Sequence, residues 1–472
     1  MPRILMVASE ATPFAKTGGL ADVIGALAPG LAARGEDVAV LMPRYRGIDV
    51  KDTPIVYRDL PVRLGREEYF ANVHCVLERK VPYFLVDCPS LYDRDGLYGD
   101  SGAEDYPDNH IRFAVLARAA LTIVRSVFRP AIIHCHDWQA ALVPIFKRTV
   151  FAGDPTFMGI PVVLTIHNLG YQGLFPPTAL PEMGLDPSLF TPGCLEFFGQ
   201  VNLLKGGILT SDAITTVSPT YAREIQTPEL GFGLDGVLKT RRDAIHGILN
   251  GVDYREWDPA TDPHIATNYS AANLAGKLDC KKDLLAAFDL PENLDRPLVG
   301  MVARLAAQKG FDLVEQAAAD LAAQDLSLVV LGIGDPKLEA FLEELRAAHP
   351  EKVGVRIAYD EALAHKIEAG ADIFLMPSLY EPCGLNQVYS LHYGTLPVVR
   401  STGGLDDTID ESTGFKFRDY TGEAMMGALR EALAVYRDPE RWTAMMRAGM
   451  SRDYSWDRSA ARYSGLYRRL AG

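Results

Sequence analysis

Lys16-Thr17-Gly18-Gly19-Leu20 stands between an apolar run and the first helical pattern of the chain. A helix start offers backbone N–H groups and a partial positive charge, and glycines let a ligand come close. Lys16 adds a mobile cation, so the chemistry suggested is anion binding, although the same residues also suit a tight turn with a solvated lysine. Arg304 and Lys309, within Met301-Val302-Ala303-Arg304-Leu305-Ala306-Ala307-Gln308-Lys309-Gly310, repeat the logic. A guanidinium forks two phosphate oxygens and an ammonium adds a compact charge. Such a pair suits a diphosphate that becomes more negative as its bond to a sugar breaks.

Other segments supply groups for a sugar. Glu381, in Tyr380-Glu381-Pro382-Cys383-Gly384-Leu385, follows an apolar run and can accept from sugar hydroxyls, while Gly384 and Leu385 can lend amides. Taken alone, a structural turn glutamate explains it as well. Asp137, after His134-Cys135-His136, reads as a hydroxyl acceptor. The two histidines share a face, but no further ligand stands close by, which disfavours a metal. His167, in Thr165-Ile166-His167-Asn168, can bond a sugar hydroxyl or steady positive charge at an anomeric carbon, and a packed turn histidine is the plainer reading. Asp93 and Asp95 form a DxD pair in a short acidic loop, again without a metal expected. Cys383 lacks the histidine and carboxylate of a thiol nucleophile. Gly332-Ile333-Gly334-Asp335 is only part of a dinucleotide fingerprint, which argues against a nicotinamide enzyme.

These segments need elements to hold them. Ile4–Ala8 reads as a buried parallel strand, Leu20, Val23, Ile24, Leu27 and Leu31 recur at helical spacing, and Val38–Met42 begins the next strand. Further strand-like runs follow at 131–134, 161–166 and 213–217. A Pro-, Asp- and Thr-rich stretch at 257–263 reads as surface loop. A second α/β series then runs through 298–303, 326–331, 353–357, 373–376 and 396–399. Two such series predict an α/β protein with two doubly wound sheets and a boundary near residue 245, ligands lying beyond the carboxyl ends of the strands. The segment 456–470 reads as a final helix. Thr17-Gly18-Gly19-Leu20 is echoed by Thr402-Gly403-Gly404-Leu405, which suggests one local job done twice: a glycine turn presenting backbone N–H groups at a helix start.

Composition narrows the class. The chain has 472 residues and is 48% apolar, enough to bury a core in two or three domains. Its net charge of −14 argues against unspecific binding to nucleic acid or to an anionic membrane. No run is long enough to span a bilayer, and the first residues enter a strand-like run directly rather than a signal segment. Six scattered cysteines without a CxxC predict neither disulfides nor a zinc ribbon, and a cytoplasmic location is expected.

Taken together, Lys16–Val23, Asp93–Asp100, His136-Asp137-Trp138, Thr165–Asn168, Asn250-Gly251-Val252-Asp253, Arg304-Leu305 with Gln308-Lys309-Gly310, Glu381–Leu385 and Ser401–Leu405 resemble, in order, the bacterial glycogen synthase family, close relatives of plant starch synthases. The resemblance implies a GT-B fold of two Rossmann-like domains facing across a deep cleft. It implies residues 1–245 as the acceptor-side domain, 246–455 as the nucleotide-sugar domain, and 456–472 as a helix packing back on the first. It implies transfer of glucose from ADP-glucose to the non-reducing 4-hydroxyl of glycogen or another α-1,4-glucan, with retention and without metal or cofactor. A related GT-B enzyme using UDP-glucose and a small acceptor is the alternative. By position, His167, Glu381, Arg304, Lys309 and Asp137 fall to the reacting centre. Lys16, Gly18, Gly19, Asp22, Tyr98, Asn168, Asn250, Tyr359, Cys383, Gly384, Leu385, Thr402, Gly403 and Gly404 fall to substrate binding, with Tyr359 against the adenine. Gln139 and Tyr389 depart from the pattern, the latter standing where the wider superfamily carries a second glutamate.

Overall fold

The computed structural model describes residues 2–100 and 105–472. The chain divides into two compact units. The first comprises Met1–Val217, Ala222–Gly251 and Trp456–Gly472, and the second Ser218–Tyr221 and Val252–Ser455.

Among the described residues, nine strands form the sheet of the first unit: β1 (Arg3–Val7), β2 (Asp37–Pro43), β3 (Ile55–Leu64), β4 (Glu67–Glu78), β5 (Val81–Asp87), β6 (Ile132–His136) and β7 (Val162–Ile166), then, after a small antiparallel sheet of β8 (Leu174–Phe175), β9 (Glu196–Phe197) and β10 (Gln200–Asn202), β11 (Ala213–Thr216) and β12 (Ile245–Gly247). The order is β12-β11-β7-β6-β1-β2-β5-β4-β3. The strands from β12 to β5 run parallel, and β4 and β3 add an antiparallel edge. β1 and β7 are mostly Val, Ile, Leu and Met and are almost wholly buried, as suits strands inside a parallel sheet with both faces covered. The helix Trp456–Ala471 lies in this unit, where Asp457 meets Arg34 at 2.7 Å and Ser459 donates to the Leu249 carbonyl at 2.6 Å.

The second unit is built on β13 (Leu298–Val302), β14 (Ser327–Gly332), β15 (Val353–Ile357), β16 (Ile373–Met376), β17 (Leu396–Arg400) and β18 (Phe415–Phe417), all parallel in the order β15-β14-β13-β16-β17-β18. This is the Rossmann order 3-2-1-4-5-6, whose direction reverses between its first and fourth strands. Alternate residues go to opposite cores. Val299, Met301, Val330 and Leu375 face one apolar cluster, and Leu298, Val329, Leu331 and Phe374 face another.

The stretch at 257–263 departs from its reading as a surface loop. Asp262 is 2% exposed, and its Oδ2 takes Nδ1 of His365 at 2.7 Å and the Tyr393 hydroxyl at 2.5 Å. Trp257 is stacked between the rings of His365 and Tyr389, at 3.7 and 4.1 Å between centroids. Polar composition suggested solvent, but a loop whose polar atoms find buried partners can pack inward.

Candidate active site

In the first unit the reversal of strand order falls between β1 and β6, and the candidate residues follow the carboxyl ends of β1, β6, β7 and β12. The Lys16–Leu20 turn leads into the helix Gly19–Ala33, with Gly18 as an extended N-cap. Lys16 Nζ lies 2.8 Å from Asp22 Oδ1, both partly exposed. A Cβ placed on Gly18 or Gly19 would meet nothing within 4 Å, so the turn's glycines leave open space before the helix.

Glu10, which the sequence did not single out, shapes this turn. Its buried carboxylate accepts from Thr17 N at 2.6 Å, from the Thr17 hydroxyl, from Gly18 N and from the Tyr98 hydroxyl at 2.9 Å. Burial raises its pKa, while those donors favour the anion. The Thr17 and Gly18 amides therefore already serve a protein carboxylate. Tyr98 touches Glu10 and Ser9 through its hydroxyl, which places it behind the turn. A glutamate three residues beyond an apolar strand was the available signal. Asp93 and Asp95 are both bridged by Arg46, with Arg46 Nε 2.8 Å from Asp93. Among the described residues, no group of three or more His, Cys, Asp or Glu is placed to hold a metal.

Asp137 adopts a left-handed backbone, φ +55°, directly after β6. Its Oδ1 accepts from His167 N at 2.7 Å, tying the end of β6 to the end of β7. His167 Nε2 lies 3.0 Å from His136 Nδ1, and burial pushes the His167 imidazole down to about 3, so it is neutral. Asn168 turns its own Oδ1 to Gly170 N at 2.9 Å. Asn250 Oδ1, after β12, is buried with no hydrogen-bond partner among the described residues.

Burial raises the Asp137 carboxyl from 3.8 to about 7, against the His167 and Asn168 amides that favour its anion. Between those values the folded chain holds a proton that the unfolded chain has released. The stability contributed by Asp137 is thus full below the unfolded value and declines as pH rises through the folded one. Asp137→Asn lacks this titration. Melting curves from about pH 5 to about pH 8 are expected to show the wild-type advantage in Tm over Asp137→Asn shrinking as pH rises. A constant or growing advantage would contradict it.

In the second unit the candidates gather where the strand order reverses, between β13 and β16. Arg304 is exposed just after β13. Lys309 closes a short 3-10 turn, Ala307–Lys309, and its Nζ lies 2.6 Å from Glu381 Oε2 beyond β16. Glu381 is 6% exposed and also accepts from the Ser378 hydroxyl at 3.1 Å. Leu379 N to Gln308 O at 2.9 Å and Gln308 Nε2 to Tyr380 O at 3.1 Å bind the two loops together. A buried carboxylate thus fixes an ammonium at the sheet's reversal point. Cys383 is buried, Gly384 has φ +69°, and Leu385 caps the helix Asn386–His392. Tyr359 stands 79% exposed beyond β15.

The glycine echo does not hold as one job done twice. A Cβ on Gly403 would lie 1.9 Å from the Glu381 carbonyl oxygen, and one on Gly404 would lie 1.9 Å from that of Cys383. Gly404 N donates to Glu381 O at 3.1 Å, and Thr402 is fully buried. Here the glycines seat one loop against another. Sequence alone could not separate the two roles, because both need glycine.

Residues 3–240 match the family model described as the starch synthase catalytic domain, and residues 285–448 match glycosyl transferases group 1. A glycogen synthase from Koribacter versatilis is 50% identical, over 98% of this chain and 97% of its own. One from Anaeromyxobacter sp. (strain Fw109-5) is 50% identical over 99% of each. The chain belongs to the glycogen and starch synthase family. It is a glycosyltransferase with the two-domain α/β GT-B fold. The catalytic domain of starch synthase IV from Arabidopsis thaliana, solved bound to ADP and acarbose, superposes with a TM-score of 0.89 at 33% identity, covering 100% of this chain and 99% of that one. Sucrose-phosphate synthase from Thermosynechococcus elongatus, 18% identical with a TM-score of 0.62, shares the fold alone. Among the described residues, no helix is long and apolar enough to cross a membrane.

Proposed function

We propose that this family member is a glycogen synthase that transfers glucose from ADP-glucose to the non-reducing 4-hydroxyl of an α-1,4-glucan with retention of configuration, without metal or other cofactor. The observation that carries the reading is the Lys309–Glu381 pair at the reversal point of a Rossmann sheet, with Arg304 exposed just after β13. As the anomeric C–O bond lengthens, negative charge grows on the leaving diphosphate, and cations already in place stabilise it without reorganising. Arg304 and Lys309 fill that role in the second unit. Glu381, in the second unit, accepts from sugar hydroxyls, and in the first unit His167 and Asp137, joined at the ends of β7 and β6, offer polar groups to a sugar. In the first unit Asn250, whose buried carbonyl oxygen has no partner among the described residues, and in the second the exposed Tyr359 are further substrate-binding residues in this reading.

The experiment compares ADP released from ADP-glucose with UDP released from UDP-glucose, each with and without glycogen. Glycogen-dependent ADP release at a rate well above UDP release is expected. UDP release to a small acceptor, with glycogen inert, would replace this reading with that of a related enzyme of the same fold.

A further inference from the structure

One face of the first sheet carries a polar row where parallel strands are ordinarily apolar. His134 and His136 lie two apart on β6 and so share a face, Thr165 on β7 pairs with His136, and Thr215 on β11 pairs with Thr165. His134 Nε2 meets Thr165 Oγ1 at 2.6 Å, which meets Thr215 Oγ1 at 2.5 Å. Tyr467, on the helix Trp456–Ala471, brings its hydroxyl to His134 Nδ1 at 2.8 Å. Both nitrogens of His134 are thus bonded. Its ring lies 4.0 Å from the His136 ring between centroids and backs it. His136 Nδ1 then reaches His167 Nε2 at 3.0 Å.

One atom in the row decides where the hydrogens sit. His136 Nε2 is buried and has no hydrogen-bond partner among the described residues. Burial holds His134 and His167 neutral, each near 3, and pushes His136 well below its ordinary value. Each ring therefore carries a single N–H. On Nε2 of His136 that N–H would be orphaned, and orphaned buried donors are the rarer defect. The hydrogen belongs on Nδ1, which donates to His167 Nε2. His167 must then carry its own hydrogen on Nδ1.

We propose that His136 is a positioning residue that locks His167 in the Nδ1–H form, so that His167 meets its substrate as a hydrogen-bond donor to a sugar oxygen. This deepens the reading of His167 as a contact of the donor glucose and rests on it. An unrestrained neutral imidazole in water favours the Nε2–H form, so the lock has a spectroscopic signature of its own.

The test is two-dimensional NMR of the full chain labelled with 15N-histidine, the His167 signals being assigned by loss in His167→Asn. Wild type is expected to show His167 protonated on Nδ1, and His136→Leu to return it towards Nε2–H. Turnover of His136→Leu is expected to fall on the order of 10- to 100-fold through lost alignment, with KM for the glucan unchanged. His136→Asn, whose amide N–H stands near the lost Nδ1–H, is expected to recover most of that loss. An Nε2–H form of His167 in wild type overturns the proposal, as does an Nδ1–H form that survives in His136→Leu. Should His136→Leu not fold, the wild-type spectrum and His136→Asn still decide. Wild type that shows the Nδ1–H form but turns over no ADP-glucose would remove the functional reading and leave the lock standing.

Discussion

Replacing Arg304 with alanine is expected to lower turnover at saturating ADP-glucose on the order of 10²–10³-fold, the usual cost of removing one preorganised group that faces developing charge. Arg304 is exposed, so its loss leaves folding nearly untouched and the Tm is expected to hold. Lys309→Ala is expected to lose as much turnover, but it also takes the cation from the buried Glu381 carboxylate, 2.6 Å away. That group keeps the Ser378 hydroxyl, and stability is expected to fall by about 1–3 kcal/mol. The two cations act on one leaving group, so the double variant is expected to lose less than the product of the single losses. Initial rates at saturating donor, corrected for the folded fraction, check all three variants. Near-normal turnover in Arg304→Ala and Lys309→Ala would take both residues out of the mechanism.

The two glycine turns are expected to fail in opposite ways. Gly403 has φ +46°, and a Cβ there would overlap the Glu381 carbonyl oxygen. Left-handed strain and overpacking each cost about 1–3 kcal/mol, so Gly403→Ala is expected to destabilise the protein by roughly 3–5 kcal/mol. A drop of roughly 6–20 °C in Tm follows for a domain of this size. Gly18→Ala meets no atom within 4 Å and sits at φ −161°, extended backbone open to any residue. Its Tm is expected to stay within a degree or two, because surface changes of this kind stay within about 0.5 kcal/mol. Its KM for ADP-glucose is expected to rise, since the added methyl occupies the approach to the helix start. Melting curves and donor KM for both variants check this, and equal destabilisation by the two would remove the distinction.

What the sequence made legible was local. Ile4–Ala8, 298–303 and 373–376 are apolar runs with one reading in an α/β chain, and they became β1, β13 and β16. Lys309 and Glu381 were separately visible as a cation near a helix start and an acid beyond a strand. Their ion pair was not, because it depends on β13 and β16 being neighbours although two strands intervene in the chain. Glu10 stayed hidden for a similar reason, since its partners come partly from Tyr98, 88 positions on. His134 and His136 share a face by spacing, and in the structure they meet each other, His167, Thr165 and Tyr467. Periodicity marks elements well, whereas a site is an agreement among distant positions.

The central claim, that a glucosyl unit passes from ADP-glucose to a glucan with its configuration kept, is tested most directly on the product. ADP-glucose carrying 13C at the anomeric carbon is incubated with a short malto-oligosaccharide and followed by NMR. The account predicts a new α-1,4 anomeric signal at the non-reducing end, growing in step with released ADP. A β-linked signal, or labelled free glucose released in that same proportion, would contradict it.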